Sequence, residues 1–86
     1  MKIENIVMTC SACPSQWNIT LKDGRMVYVH YRWGALVMTI SDAPTQNVHD
    51  AVGGEEIYRW ECVDVFDGCM SQEELNPHLE KAGIKY

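Results

Sequence analysis

Residues 16–40 constrain the fold more than any other part of the chain. Three runs that alternate apolar with polar side chains lie in this stretch, and the dipeptides Asp23-Gly24 and Trp33-Gly34 separate them. Alternation with a period of two is typical of a strand with one buried face, and a glycine between two such runs indicates a hairpin turn. The stretch therefore predicts three consecutive antiparallel strands, a β-meander.

The turn at Asp23-Gly24 fits two registers. A two-residue loop pairs Lys22 with Arg25 and aligns the apolar residues before the turn with residues 26, 28 and 30. A three-residue loop pairs Leu21 with Arg25 and aligns the same residues with the apolar residues 27, 29 and 31. A slip of one residue turns every side chain to the other face, so the register that gathers the apolar set should form. We therefore predict the three-residue loop.

The turn at Trp33-Gly34 leaves two registers open. A three-residue loop that starts at Arg32 avoids a positive φ angle at Trp33, which is costly for a bulky residue. A two-residue loop imposes that angle but aligns residues 36, 38 and 40 with residues 27, 29 and 31. In both registers the opposite face of the middle strand carries Met26, Tyr28, His30 and Arg32. This face is too aromatic for a purely solvated surface, so we expect it to be partly covered.

The rest of the chain adds strands and helices around the meander. Residues 2–10 and 57–62 also alternate, which predicts an edge strand and a fourth sheet strand. Residues 44–52 predict a short helix with Asp42 as its cap and Gly53-Gly54 as its end. Ser71 and Glu74 form a capping box that starts a C-terminal helix.

The C-terminal helix contains Pro77, which removes one backbone hydrogen bond and crowds the preceding turn. We therefore expect a single turn followed by a second helix, capped by Asn76 and ended by Gly83.

The predicted fold class is α+β: a four- to five-stranded antiparallel sheet packed against a C-terminal helix, with a short helix between strands.

Length and charge narrow the range of functions. The chain has 86 residues, enough for a single small domain over residues 1–86. Both sheet faces carry apolar side chains and one helical layer covers only one of them, so we expect a homodimer.

A net charge of −5 argues against nucleic-acid binding through a basic face. No apolar run is long enough to cross a membrane, and residues 1–5 lack the features of a signal peptide, which predicts a cytoplasmic protein with reduced thiols.

The four cysteines offer one alternative, a zinc-stabilised interaction module. Two of them have the spacing of a zinc knuckle, but the second pair is too far apart for a zinc ribbon. The alternative ligand set is Cys10, Cys13, Cys62 and Cys69. We expect no metal and no other cofactor.

No catalytic site is recognisable in the sequence. The loop that begins at Asp67-Gly68 resembles half of a calcium-binding loop, but the positions for its first two ligands hold Val63 and Val65, which have no side-chain oxygen. The three histidines lie far apart in the sequence, and none has a serine or cysteine in a known nucleophile context. We therefore expect a protein that is not an enzyme, with a small hydrolase as the weakest alternative.

Aromatic and arginine residues are the remaining unusual feature. Those that do not fit the main core belong to types that are enriched in binding hot spots. The predicted binding residues are Arg25, Tyr28, His30, Arg32 and Trp33. The same residues suit a protein that sequesters a nucleotide signal, in which an aromatic ring stacks on the base and an arginine holds the phosphate.

Several short motifs resemble those of a family of small uncharacterised proteins encoded in phages and prophages. They are Cys13-Pro-Ser-Gln-Trp17, Asp23-Gly-Arg25, Tyr31-Arg-Trp-Gly34, and Asp67-Gly68 followed by Glu73-Glu-Leu75. The resemblance covers most of the chain and implies a phage setting rather than a mechanism. Small phage proteins of this kind include anti-CRISPR and other anti-defence inhibitors, which occlude a surface of a host protein. The resemblance thus favours a non-catalytic inhibitor of a host defence protein.

Overall fold

A computed structural model describes residues 1–10, 15–32, 34–61 and 70–86. Its five strands form one antiparallel sheet in the order β1-β2-β3-β4-β5, so neighbours in the sheet are also neighbours in sequence. The strands are β1 (Ile3–Cys10), β2 (Ser15–Leu21), β3 (Met26–Arg32), β4 (Ala35–Ile40) and β5 (Glu55–Glu61), and the helices are α1 (His49–Val52) and α2 (Gln72–Lys81). The predicted α+β meander with two helices is confirmed.

The first hairpin has the predicted three-residue turn. The amide of Leu21 donates to the carbonyl of Arg25 at 2.9 Å, and Trp17 pairs with Val29 across the strands. Gly24 has a φ angle of 92°, in the left-handed region that favours glycine. The apolar pattern therefore selected the register.

The second hairpin adopts the register of the two-residue loop. Arg32 pairs with Ala35, which aligns Tyr31 with Leu36 and Val29 with Met38. Gly34 takes the positive φ angle of 76°. The alignment of buried apolar residues therefore decides between the two registers that the sequence left open, while Trp33 lies outside the described residues.

The main core lies between one face of the sheet and α2. Trp17, Ile19, Val27 and Val29 are completely buried on this face, and Leu75 of α2 packs into the same cluster. A bulge at Ile57 in β5, between the pairs Met38–Tyr58 and Thr39–Glu56, lets Ile57, Tyr58 and Trp60 all pack against the core. No helix in the described ranges is long and apolar enough to cross a membrane.

Helix α2 is continuous, so the predicted division at Pro77 is wrong. The proline removes only the hydrogen bond to the carbonyl of Glu73, an exposed residue whose carbonyl water can solvate. The predicted capping box of Ser71 and Glu74 is present, and the helix ends as predicted with Gly83 following it. Buried side chains before and after the proline hold both halves of the helix against the sheet.

Helix α1 begins at His49, five residues later than the predicted start at residue 44, and Asp42 is not its cap. Instead the amide of Asn47 donates to Oγ1 of Thr45, and the amide of His49 donates to Oδ1 of Asn47, both at 3.0 Å. These side-chain bonds give the backbone an alternative to helical bonding. The amide of Thr45 also donates to the carbonyl of Gly24, which ties this segment to the first hairpin.

Candidate functional site

The sheet face opposite the core carries three of the predicted binding residues. Tyr28, His30 and Arg32 alternate along β3, the central strand, and point away from the core cluster. Their neighbours in β2 are Asn18 beside Tyr28 and Gln16 beside His30. We call the surface formed by Gln16, Asn18, Tyr28, His30 and Arg32 the open face.

Helix α1 covers the part of this sheet face next to the open face. Three buried apolar residues do not belong to the main core cluster, namely Met26 of β3, Val37 of β4 and Ala51 of α1. They form a small second core where α1 contacts β3 and β4. The expectation that the second sheet face is partly covered is thus confirmed, and the cover is the chain's own short helix.

The open face contains a shallow pocket of about 270 Å³ beside α1. Gln16, Tyr28, His30, Arg32 and Val52 line it. The rings of Tyr28 and His30 have centroids 5.5 Å apart and planes tilted by 42°, so the two side chains pack against each other. Both are partly buried, whereas Arg32 is exposed at the end of the strand. A half-buried aromatic pair thus lies beside an exposed guanidinium.

Local charge and burial keep this pocket uncharged at its centre. Burial lowers the pKa of His30, and the guanidinium groups of Arg59 and Arg32 lower it further. Burial raises the pKa of the Tyr28 hydroxyl. Arg59 is itself paired with Glu56 at 2.7 Å. At neutral pH the pocket therefore offers a neutral imidazole and a neutral phenol as hydrogen-bonding groups.

Arg25, the fourth predicted binding residue, belongs to a different part of the structure. It lies at the β2–β3 turn, where its guanidinium binds the carboxylate of Asp23 at 2.7 Å. The arginine holds the pKa of Asp23 below its usual value. Arg25 is not among the residues that line the pocket, so the structure brings together Tyr28, His30 and Arg32 without it. Trp33 lies outside the described residues.

The alternative zinc ligands fall almost entirely outside the described residues. Cys13, Cys62 and Cys69 belong to the undescribed ranges, and the side chain of Cys10 is not described. Elsewhere in the described ranges no three histidine, cysteine or acidic side chains gather in a way that could hold a metal ion. The absence of metal stays a prediction.

The sequence did not predict a second polar cluster, which lies between β5 and α2. The hydroxyl oxygen of Tyr58 lies 2.8 Å from Nδ1 of His78, and the ring of Trp60 has its centroid 4.7 Å from that of His78. Burial lowers the pKa of His78, and the charge of Lys81 adds to the effect. The helical spacing of His78 from Leu75 and Ala82 is the signal that places it on the buried face of α2.

The comparisons with known proteins add nothing to this picture. No family model, no curated protein and no solved structure matches the chain. The function is therefore inferred from the residues of the chain itself.

Proposed function

We propose that the chain is a non-catalytic binding protein that occludes a surface of a host protein through its open face. In this proposal the protein is a phage-type inhibitor of a host defence factor, working in the cytoplasm of the host cell. The observation that carries the proposal is the packing of Tyr28 against His30 beside Arg32, all on the central strand.

The position of these residues suits protein recognition. Tyrosine and arginine dominate binding hot spots, because each combines a large contact area with directed hydrogen bonds. The backbone of β3 is hydrogen-bonded on both sides, and Tyr28 and His30 already pack together. Little conformational entropy remains for Tyr28 and His30 to lose on binding, which favours affinity.

The surroundings of His30 support a binding role over catalysis. General acid–base chemistry usually relies on a histidine oriented by a carboxylate or paired with a nucleophile. Burial favours the neutral imidazole of His30, and among the described residues the charges that act on it are those of Arg59 and Arg32, which favour the neutral form too. A hydrogen bond to a partner is the simplest use of such a group.

Sequestration of a nucleotide is the second candidate, because Tyr28 and Arg32 line the same pocket. A base would stack on the tyrosine ring, and the arginine would bind a phosphate. This candidate loses one of its two predicted cations, since Arg25 is paired with Asp23 at the turn. Protein recognition does not depend on an arginine that binds phosphate, and we therefore favour it.

The first test is affinity capture from a lysate of the host bacterium. The bait is the wild-type chain, and the Tyr28→Ala/Arg32→Ala double variant should lose a partner that the wild type retains. Arg25→Ala is the matched control, because it removes a guanidinium outside the pocket. If the double variant recovered the same partner, the open face would not be the contact surface.

A thermal-shift measurement separates the two candidates. A ligand that binds the native state stabilises it by RT ln(1 + [L]/Kd), so a nucleotide held in the pocket would raise the melting temperature. We expect no shift with mononucleotides, dinucleotides or cyclic nucleotides. A saturable shift that Arg32→Ala abolishes would replace the inhibitor with a nucleotide-binding protein.

A further inference from the structure

The two edges of the sheet differ in their charge. Edge strand β5 has seven residues, four of which are charged: Glu55, Glu56, Arg59 and Glu61. Charged side chains on an edge strand oppose the addition of another strand. Edge strand β1 has eight residues, and Glu4 is its only charged one. The β1 edge therefore lacks the protection that β5 has.

The C-terminal tail covers only the beginning of the β1 edge. The amide of Ile3 donates to the carbonyl of Lys85, and the amide of Lys85 donates to the carbonyl of Met1 at 2.8 Å. Past Ile3, no residue in the described part of the chain pairs with the outer edge of β1. Register shifts on either side of residues 5–8 leave these four residues as a regular strand segment.

The pairing pattern shows which backbone groups face outward on this edge. The bond from the Leu21 amide to Arg25 means that odd-numbered residues of β2 bond to β3, so Asn18 and Thr20 bond to β1. Their partners in β1 are Val7 and Asn5. The backbone amides and carbonyls of Ile6 and Met8 therefore point away from the sheet.

Exposed apolar side chains concentrate along the same edge. Among the described residues the large exposed ones are Met1, Val7, Val52 and Tyr86, and all but Val52 belong to β1, to the residues before it or to the tail beside it. Val7 is 48% exposed in the middle of the regular segment. An apolar side chain at the centre of a strand edge that pairs with none of the described residues is a feature of strand-addition sites.

We propose that a second copy of this chain pairs with the β1 edge, antiparallel and about a two-fold axis that passes beside Val7. Ile6 of one copy then exchanges two backbone hydrogen bonds with Met8 of the other, and the symmetry repeats the pair. Val7 lies opposite its own copy in a non-hydrogen-bonded pair, where side chains approach most closely. The two sheets become one continuous sheet of ten strands.

Self-complementarity identifies the occupant as a second copy. A two-fold interface must match the same surface to itself, and like charges opposite each other would prevent this. The regular segment 5–8, which pairs with its own copy, contains no charged residue, and Glu4, the only charged residue of β1, lies outside it. In each copy the C-terminal tail occupies the edge beside Ile3, so the two tails limit the shared segment at its two ends. The dimer is therefore formed at an edge and leaves both open faces accessible.

The test is the mass of the chain in reducing buffer at micromolar concentration, measured by sedimentation velocity. The wild type should sediment with twice the chain mass of 9.8 kDa. Val7→Glu should be monomeric, because it places two carboxylates opposite each other at the axis. Val52→Glu is the matched control, because Val52 lies on α1 and its exposed fraction of 47% is close to that of Val7. This variant should remain dimeric. A monomeric wild type, or a dimeric Val7→Glu variant, would overturn the proposal.

A cross-linking variant tests the register and covers the case in which Val7→Glu fails to fold. Opposed residues of a non-hydrogen-bonded pair have Cα atoms about 4.5 Å apart, within the range that a disulfide spans. Val7→Cys should form a covalent dimer on mild oxidation, with peptide mass spectrometry locating the bond at the introduced thiol. Val52→Cys should not. The absence of this disulfide in a folded Val7→Cys variant would contradict the proposed pairing.

Discussion

Removing the Ser41 hydroxyl should destabilise the fold out of proportion to the size of the change. Ser41 is 1% exposed, and its Oγ accepts a hydrogen bond from the amide of Met26 at 3.0 Å. The same hydroxyl donates to the carbonyl of Ala43 at 2.9 Å. It therefore fixes the start of β3 to the segment that follows β4. Ser41→Ala removes both bonds without adding bulk.

The two lost bonds contribute unequally. Met26 is buried, so its amide would be left without a partner, at a cost of about 1–3 kcal/mol. Ala43 is exposed, and water can replace the serine hydroxyl at its carbonyl. For a domain of this size a loss of about 2 kcal/mol lowers the melting temperature by roughly 8–16 °C.

Thermal and urea unfolding measure the effect, with Asp42→Ala as the control. Asp42 is the exposed neighbour of Ser41, and its replacement should change the free energy of unfolding by no more than about 0.5 kcal/mol. Amide exchange at Met26 should also be faster in Ser41→Ala. Equal melting temperatures for the two variants would refute the role assigned to the hydroxyl.

Three further predictions concern the helix, acid and metal. Leu79→Ala removes a side chain that is 1% exposed and should lower the free energy of unfolding by about 2–5 kcal/mol. The control Glu80→Ala, at the exposed neighbouring position, should change it little. Equal urea midpoints for the two variants would show that α2 is not docked on the core. Because the pKa values of His78 and His30 are lowered in the folded chain, the unfolded chain binds more protons than the folded chain below about pH 6.5. The free energy of unfolding should therefore be fully present above that pH and should fall as the pH drops through the folded pKa values. His78→Asn should flatten this dependence of the urea midpoint and the exposed His49→Asn should not; equal slopes for both variants would exclude His78 as a contributor. EDTA should leave the melting temperature unchanged and elemental analysis should find no zinc, whereas one zinc per chain together with destabilisation by EDTA would establish the zinc-stabilised module.

The sequence predicts the sheet well because its residues carry a strong period-two pattern. Trp17, Ile19 and Leu21 have one register in which they meet other apolar residues, and the structure adopts it. The second hairpin stays ambiguous because turn chemistry favours one register and the apolar pattern the other. Burial of apolar side chains is worth more than the local preference of a turn, and this resolves the ambiguity.

The features that the sequence does not predict depend on contacts between distant residues or on side-chain bonds to the backbone. The late start of α1 follows from the side-chain oxygens of Thr45 and Asn47, which accept hydrogen bonds from backbone amides and so compete with helix formation. The amide of Met70 donates to Oγ of Ser15 across 55 positions, a contact that no local pattern contains. For the candidate site, the period-two pattern places Tyr28, His30 and Arg32 on one face of the sheet. It does not show that Arg25 lies away from them, because the geometry of the turn and the ion pair with Asp23 determine its position.

The affinity of the captured partner for single variants of the open face tests the central claim most directly. Isothermal titration calorimetry should show that Tyr28→Ala weakens binding by about 30-fold or more, the effect of losing about 2 kcal/mol at a hot spot. Arg32→Ala should also weaken binding, while Arg25→Ala should bind like the wild type. If Tyr28→Ala and Arg32→Ala both kept the wild-type dissociation constant while remaining folded, the open face would not be the binding surface.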